Sequence, residues 1–243
     1  MSLHRNSRKY HKWLMLFIGL QFVVWSASGT YMVLMDIDYI HGDSLVVEQK
    51  QTIVPEQVNY SFKQLLTEHP QAKKIELGLM LNKAVYRFSQ NNEKVTVSAQ
   101  DGQIISPISE GIATEIAKQN YADKSVVISS VKLITETSLR ELNARHLPVW
   151  RVDFDDFASP SFYISAYSAQ LVTKRHSFWR IFDWMFAFHV MDYVDESPDN
   201  KLLRIVSILA FIASIFGLVL TYYRLAPTYQ KRRKGKSRRV KLN

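Results

Sequence analysis

The residues best suited to chemistry are histidines and carboxylates grouped in two short stretches of the chain. One stretch reads DIDYIHGD from residue 36, and the other reads HVMDYVD from residue 189. Imidazole and carboxylate ligands together suit a hard or borderline cation such as ferrous or ferric iron. We therefore predict a metal site if the fold brings the stretches together, with the ligands Asp36, Asp38, His41 and Asp192. The alternative is that these acids cap helices or solvate loops.

Two histidines are also candidates for axial ligands of a b-type haem, for which neutral imidazole is a common ligand. These are His11 and His189, which lie at opposite ends of the predicted membrane-spanning segments. A separation of about one membrane thickness is too large for both to bind one haem. A second copy or a partner subunit would have to supply the missing ligand. The alternative is that both histidines are structural residues at the membrane interface.

Motifs of independent enzymes are not found in the sequence. It lacks G-x-S-x-G, H-E-x-x-H, a Walker loop, a dinucleotide-binding fingerprint and a C-x-x-C-H haem attachment site. We therefore expect no catalytic residues and favour a non-enzymatic role. The chain has no cysteine, which is compatible with a bacterial periplasm.

Two uncharged segments are long enough to position these residues in a membrane. Residues 13–35 carry no charge over 23 positions and predict a first transmembrane helix. A cleaved signal peptide is the alternative, but its apolar core would be only ~7 to 15 residues long. Residues 197–224 predict a second transmembrane helix around the uncharged segment 205–223. Small residues, Ala213 with Gly217 and residues 26–29, predict close helix packing, either between the two helices or with a partner.

The two ends of the chain carry its excess positive charge. Residues 1–12 and 224–243 hold 13 of the 31 lysines and arginines and none of the 22 acidic residues. The positive-inside rule then predicts that both termini are cytoplasmic and that residues 36–200 are periplasmic, in a bacterial inner membrane. The basic tail, residues 225–243, is expected to contact anionic membrane lipid, or alternatively an acidic cytoplasmic partner. Base-reading and stacking groups are missing from these ends, so no nucleic-acid partner is expected.

The region between the predicted spans contains two similar copies. Tyr86-Arg87 and Trp150-Arg151 each open a strand, and each copy ends its second strand in Ser-Ala-x-x-x-Gln, at residues 98–103 and 165–170. Alternating hydrophobicity predicts half-buried strands, with a third short strand after each turn. A helix precedes each copy, the first marked by a capping box of Ser61 and Gln64 and the second covering residues 109–121. The layout predicts two α+β units, residues 36–107 and 108–175, with helices packed on antiparallel sheets.

This order of elements resembles the PepSY domain and the PepSY-associated transmembrane proteins of bacteria. The resemblance rests on VYR and SAQDGQII of the first copy, and on the flanking segments HKWLMLFIGLQFVVWSASGTYM and RIFDWMFAFHVMDY. It implies an α+β membrane protein in which two transmembrane helices flank a periplasmic tandem PepSY-like unit. In several relatives the family is associated with iron acquisition or membrane electron transfer. Other PepSY modules are inhibitory or regulatory binding domains.

The segment FWRIFDWMFAFHVMDY, which begins at Phe178, has an unusual density of aromatic residues. We predict that residues 176–196 form an aromatic helix in the outer membrane interface. Arg180 and Asp183 are three positions apart and can pair along this helix. With Trp184 they are the residues that we expect to hold the periplasmic domain on the membrane.

These observations predict a non-catalytic subunit of a membrane electron-transfer or iron-handling system, with haem or iron as the possible cofactor. Its expected partners are membrane lipid and another membrane or periplasmic protein, or a second copy of the chain. The alternative is a periplasmic regulatory or inhibitory binding module that acts on a protein or peptide.

Overall fold

The computed structural model describes residues 3–47, 52–136, 141–192 and 200–240, with side chains between residues 6 and 225. The chain divides into two compact units. The helical unit comprises Met1–Leu34 and Asp183–Asn243, and the sheet unit comprises Met35–Phe182.

Six α-helices and seven β-strands occur within the described residues. The helices are α1 (Leu3–Leu34), α2 (Ile37–His41), α3 (Phe62–Glu68), α4 (Glu110–Asn120), α5 (Ser177–Val190) and α6 (Lys201–Val240). The strands are β1 (Lys73–Met80), β2 (Lys83–Gln90), β3 (Glu93–Ser98), β4 (Val127–Ile134), β5 (Val149–Asp155), β6 (Ser161–Ser165) and β7 (Leu171–Arg175).

The helical unit contains two helices that are long and apolar enough to cross a membrane. Their apolar parts are Asn6–Leu34, of 29 residues, and Lys201–Leu225, of 25 residues. At 1.5 Å per residue these segments are about 44 and 38 Å long, more than a hydrocarbon core of ~30 Å requires. α6 continues to Val240, so the basic tail is helical as far as it is described. The predicted boundary at residues 196 and 197 lies outside the described residues.

α1 and α6 pack against each other through small and aliphatic side chains. Ile18 of α1 is buried with Ala210 and Ala213 of α6. Partly buried side chains surround this contact: Leu14, Met15, Trp25, Val206 and Leu209. Ala213 is only 1% exposed, so the predicted small residue of the second span does allow the two backbones to approach closely.

The first sheet has the antiparallel order β1-β2-β3. Its apolar face packs under α3, where Leu65 contacts the side chains of Tyr86, Phe88 and Val97. α3 begins with the predicted capping box, because Ser61 N donates to Gln64 Oε1 at 2.7 Å and Gln64 N donates to Ser61 Oγ at 3.3 Å. Both donors would otherwise lack a partner at the helix start.

The second sheet has the antiparallel order β4-β5-β6-β7. α4 starts at its cap Ser109 and buries Ala113, Ile116 and Ala117. These side chains pack in one core with strand residues of the second sheet, namely Val152, Phe154, Phe162 and Ile164. The predicted helix over residues 109–121 and the predicted strands of the second copy, which begin with β5, are therefore confirmed.

The turns that close the two copies have the same backbone hydrogen bonds. Ser98 N donates to Gln103 O and Gly102 N donates to Ser98 O. In the second copy Ser165 N donates to Gln170 O and Ala169 N donates to Ser165 O. Gly102 has φ +76° and Ala169 has φ +55°, so alanine adopts the left-handed conformation that glycine provides in the first copy.

The copies differ after this turn. In the second copy the chain continues into β7, which pairs with β6 from Ser161 to Ile164. In the first copy only the isolated bridge between Val97 and Ile104 is formed, so the expectation of a third strand there is wrong. Strands β1 and β4 were not predicted. The fold class is confirmed: the chain is α+β, and in sequence order its antiparallel sheets and their packed helices are flanked by two long apolar helices.

Candidate functional site

One ring nitrogen of His11 is fixed by a hydrogen bond to α6. Its Nδ1 lies 2.9 Å from the carbonyl oxygen of Ala213. A carbonyl oxygen only accepts hydrogen bonds, so Nδ1 carries a proton, and in the neutral imidazole Nε2 is then the nitrogen with the lone pair. Gly217 leaves room for the ring, because a Cβ at that position would lie 3.1 Å from His11 Cε1. Ala213 and Gly217 therefore accommodate the imidazole and determine its tautomer.

His189 of α5 makes a matching contact with α1. Its Nδ1 lies 3.0 Å from Ser28 Oγ, and that hydroxyl donates its hydrogen to Val24 O at 2.7 Å. When this hydroxyl donates to the backbone, Ser28 Oγ accepts from His189 Nδ1, and in that neutral tautomer Nε2 is the nitrogen with the lone pair. Gly29 provides the space, since a Cβ there would lie 3.3 Å from His189 Cε1.

Side chains of the helical unit also bind the C-terminal carbonyls of α5. Trp25 Nε1 donates to His189 O at 2.6 Å, and Asn200 Nδ2 donates to Val190 O at 2.6 Å. The last carbonyls of a helix have no partner within the helix. In hydrocarbon each unsatisfied carbonyl would cost several kcal/mol. These two bonds therefore allow α5 to end beside an apolar helix.

Gln21 adds a longer contact of 3.5 Å, from Nε2 to Phe188 O. The sequence interpretation missed Gln21, Trp25 and Asn200 as partners of α5. One signal was present, because Gln21 is the only amide side chain among residues 13–35, and a polar side chain inside a membrane span usually has a specific partner.

The two histidines lie toward opposite ends of α1. His11 is on α1 itself, and His189 contacts Ser28, which is 17 positions further along the same helix. This spacing corresponds to about 26 Å at 1.5 Å per residue. The separation agrees with the expectation that His11 and His189 do not share one haem.

The arrangement fits one axial position of a haem at each end. Metal-binding histidines usually donate one ring N–H to a fixed acceptor and coordinate through the other nitrogen. His11 and His189 both have this arrangement, with Nδ1 bound and Nε2 available. Because the two histidines are far apart along α1, each could hold only its own haem, and neither could serve as the second ligand of the other.

A cavity of about 500 Å³ lies beside His11. Besides His11 it is lined by α6 residues, namely Ser214, Gly217, Leu218, Leu220, Thr221 and Arg224. The wall therefore combines two leucines and a glycine with two hydroxyls, a histidine and an arginine. Such a lining suits a partly apolar ligand that carries an acidic group.

The predicted metal ligands are divided between the two units. Asp36, Asp38 and His41 lie in or next to α2 of the sheet unit, and Asp192 follows α5 in the helical unit. Asp36 caps α2, because its Oδ1 accepts from Tyr39 N at 2.9 Å. In the described part of the chain, no three His, Asp or Glu side chains are grouped in a way that could hold a metal ion.

Arg180, one of the predicted interface residues, is bonded to Glu141 within the sheet unit. Its Nε donates to Glu141 Oε1 at 2.8 Å and its Nη2 donates to Oε2 at 3.2 Å. Tyr163 Oη donates to the same carboxylate at 2.7 Å. Burial alone would raise the pKa of Glu141, but the bonds from Arg180 and Tyr163 and the nearby arginine charges lower it below its ordinary value. The start of α5 is therefore fixed to the second sheet by a charged network.

Asp183 and Trp184, the other predicted interface residues, follow on the same helix. Trp184 is 54% exposed and its ring centroid lies 5.8 Å from that of Phe188. The exposed aromatic surface is what an interfacial helix would present to lipid headgroups.

Comparison with known proteins gives one match. Searches among curated proteins and among solved structures returned no significant similarity. A family sequence model matches residues 8–243, which includes both apolar helices and the whole sheet unit. The chain therefore belongs to the family described as the PepSY-associated TM region and is a membrane protein.

Proposed function

We propose that this protein is a non-catalytic subunit of a membrane electron-transfer or iron-handling system, and that His11 and His189 each provide one axial ligand for a b-type haem. The main observation in support of this proposal is the hydrogen bonding of the two imidazole rings. Each has Nδ1 in a hydrogen bond with a neighbouring helix, so that Nε2 is the nitrogen through which a neutral imidazole would coordinate. A bound haem would supply a one-electron redox centre at each position.

The positions of the histidines support a role across the membrane. They are separated by about 26 Å along α1, so they lie near the two edges of a hydrocarbon core of ~30 Å. Polar side chains inside a membrane span usually have a specific partner, and backbone and hydroxyl groups provide one for each of these imidazoles. Ala213 and Ser28 orient the two rings through their hydrogen bonds. Gly217 and Gly29 leave space for the rings between the helices.

A second copy of the chain is the simplest source of the missing axial ligands. In a two-fold symmetric dimer a residue that lies close to the axis is opposite its own counterpart, and we place both histidines close to that axis. His11 would then be paired with His11 of the second copy, and His189 with its own counterpart. We place this dimer in a bacterial inner membrane with both termini cytoplasmic and residues 36–200 periplasmic, following the basic ends of the chain.

The proposal is tested by adding haem to the purified full chain in lipid nanodiscs. The expected result is a six-coordinate low-spin spectrum with two haems per dimer. His11→Ala and His189→Ala should each remove one of the two haems. His146→Ala is the matched control, because this histidine lies in the sheet unit, and it should bind both.

Binding that is the same in all three variants would contradict the proposal, because it would show that haem attaches without these ligands. A dimer that forms normally but binds no haem would also contradict it. Sedimentation in the same nanodiscs separates these outcomes from a simple loss of the dimer.

A second candidate function is the regulatory binding module. It is favoured by a cavity of about 580 Å³ in the sheet unit, whose wall includes Met80, Lys83, Asp101, Ile104 and Ile112. Ile104 is 57% exposed, and an apolar surface with charged residues around it is typical of a site for a peptide or small ligand. This candidate predicts a colourless protein whose partner binding survives replacement of both His11 and His189.

A further inference from the structure

Arg87 is a buried arginine, and its hydrogen bonds use only some of the nitrogen donors of its guanidinium group. Its side chain is 9% exposed. Nε donates to Ser168 O at 2.7 Å and Nη2 donates to Leu79 O at 2.8 Å. Burial lowers the pKa of Arg87, partly offset by Glu76, which reflects the cost of keeping the charge away from water. Nη1 makes no hydrogen bond to any residue that the structure describes.

Glycine at position 78 is explained by the path of this side chain. A Cβ on Gly78 would overlap Arg87 Nη1. Gly78 is paired with Val85 in the ladder between β1 and β2, so the arginine crosses the neighbouring strand where that strand has no side chain. The position of the guanidinium group is therefore determined by the backbone of β1 and by the turn that contains Ser168.

The nearest carboxylate to Arg87 neutralises it poorly. Glu76 Oε1 lies 3.9 Å from Nη1, which is beyond hydrogen-bond length, and the Glu76 side chain is 60% exposed. An exposed ion pair of this length contributes little. A buried positive charge is normally paired more completely than this.

A small cavity of about 200 Å³ lies at this arginine. Its polar lining adds two more cations and one acid to Arg87, with neutral hydrogen-bonding groups between them: Lys74, Glu76, Ser89, Lys94, Ser168 and Gln170. Lys74 has φ +55° and lies in the irregular part of β1 between Lys73 and Glu76. Such irregularities redirect side chains out of the regular strand pattern. Three cations against one acid make the cavity positive.

A histidine nearby is affected by the same positive charge. Burial, then the charges of Arg145 and Lys94, lower the pKa of His146. No acid contributes to this shift. Lys94 also lines the cavity, so we expect the His146 ring to respond to an anion that binds beside Lys94.

We propose that Arg87, Lys74 and Lys94 form a binding site for a single oxyanion group, a carboxylate or a phosphate, carried by a small ligand. Nη1 of Arg87 would donate to the anion from a fixed position, with Ser89 and Gln170 as further donors. The cavity has room for one such group and not for a large molecule. The site is in the sheet unit and is independent of the haem proposal.

The test uses the full chain in nanodiscs, with its histidines labelled with ¹³C. Inorganic phosphate and citrate are titrated separately, and sodium chloride is added to a third sample at matched ionic strength. The His146 ring signal, assigned with His146→Gln, should shift and saturate with at least one oxyanion but not with chloride. The probe that saturates at the lower concentration shows whether phosphate or carboxylate is preferred.

Variants at exposed positions make the test specific without unfolding the domain. Lys94→Gln should weaken binding by about two- to fivefold, and Glu76→Gln should strengthen it by a similar factor, as expected for one exposed charge. Lys63→Gln is the matched control on α3 and should leave binding unchanged. A shift that follows ionic strength alone, or an equal effect of Lys94→Gln and Lys63→Gln, would overturn the proposal.

Gly78→Ala tests the position of the arginine separately from its charge. A methyl group there displaces Nη1, so binding should be lost or strongly reduced while the net charge stays the same. Unchanged binding in a folded Gly78→Ala protein would show that Arg87 does not bind the anion.

Discussion

His11 on α1 lies against Gly217 on α6, close enough that a Cβ at position 217 would be 3.1 Å from the imidazole Cε1. The same ring is hydrogen-bonded to Ala213 O, one turn earlier on α6. The ring is therefore enclosed by the partner helix at two successive turns. A small change at residue 217 should act on His11 rather than on general helix packing.

Gly217→Ala is expected to make the helical unit less stable than Gly19→Ala by about 1 to 2 kcal/mol. Alanine improves helix propensity at both sites by up to ~1 kcal/mol, and nothing lies within 4 Å of a Cβ at Gly19. At residue 217 the ring must move, and its hydrogen bond to Ala213, worth ~1 kcal/mol, is strained or lost. Thermal unfolding of both variants in nanodiscs gives the comparison. In a His11→Ala background the difference should disappear, and its persistence would exclude the ring as the cause.

Trp25→Phe should destabilise the end of α5 by about 1 to 2 kcal/mol, because it leaves His189 O without its donor. The replacement keeps an aromatic ring, so little packing is lost. Hydrogen exchange of the amides near the end of α5 is the direct measurement, and exchange there should become faster. Trp13→Phe is the control, since Trp13 is 53% exposed on the same helix. Equal protection in both variants would contradict the capping role of Trp25.

Glu141→Gln should cost the sheet unit about 2 kcal/mol at neutral pH, the size expected for hydrogen bonds to a charged group. The pKa of Glu141 is lowered in the folded chain, so this carboxylate contributes stability above its unfolded pKa of ~4.3. That contribution is lost as the pH falls through the lower folded value. The Glu141→Gln variant should therefore lose less stability than the wild type as the pH falls through this acidic range.

Thermal unfolding of the full chain between neutral and acidic pH measures this effect. Glu115→Gln, at an exposed position on α4, is the control and should keep the wild-type pH dependence. Identical pH profiles for Glu141→Gln and the wild type would show that the network with Arg180 does not hold the start of α5.

Much of the fold was predictable because its signals are local. An uncharged run of 23 residues, a capping box at Ser61 and a strict Ser-Ala-x-x-x-Gln pattern depend on neighbouring positions alone. β1 was missed for a reason that is not local. Its sequence KKIELGLM contains a glycine, which weakens a strand signal, and this glycine is required only because Arg87 crosses it from the next strand.

The candidate haem ligands could be identified by residue type, whereas their hydrogen-bond partners and tautomers could not be predicted. The tautomer of His11 depends on Ala213, which is 202 positions away, and on the rotation of α1 relative to α6. The contact between His189 and Ser28 depends in the same way on how α5 ends beside α1. Sequence spacing within one helix contains no information about either contact.

A difference spectrum of the protein from its native membrane shows whether His11 and His189 are haem ligands. The full chain is purified in mild detergent, iron is quantified, and the dithionite-reduced minus oxidised visible spectrum is recorded. We expect a sharp b-type α band that is diminished in His11→Ala and in His189→Ala but unchanged in His146→Ala. A colourless, iron-free preparation of correctly assembled protein would show that the two histidines do not bind haem.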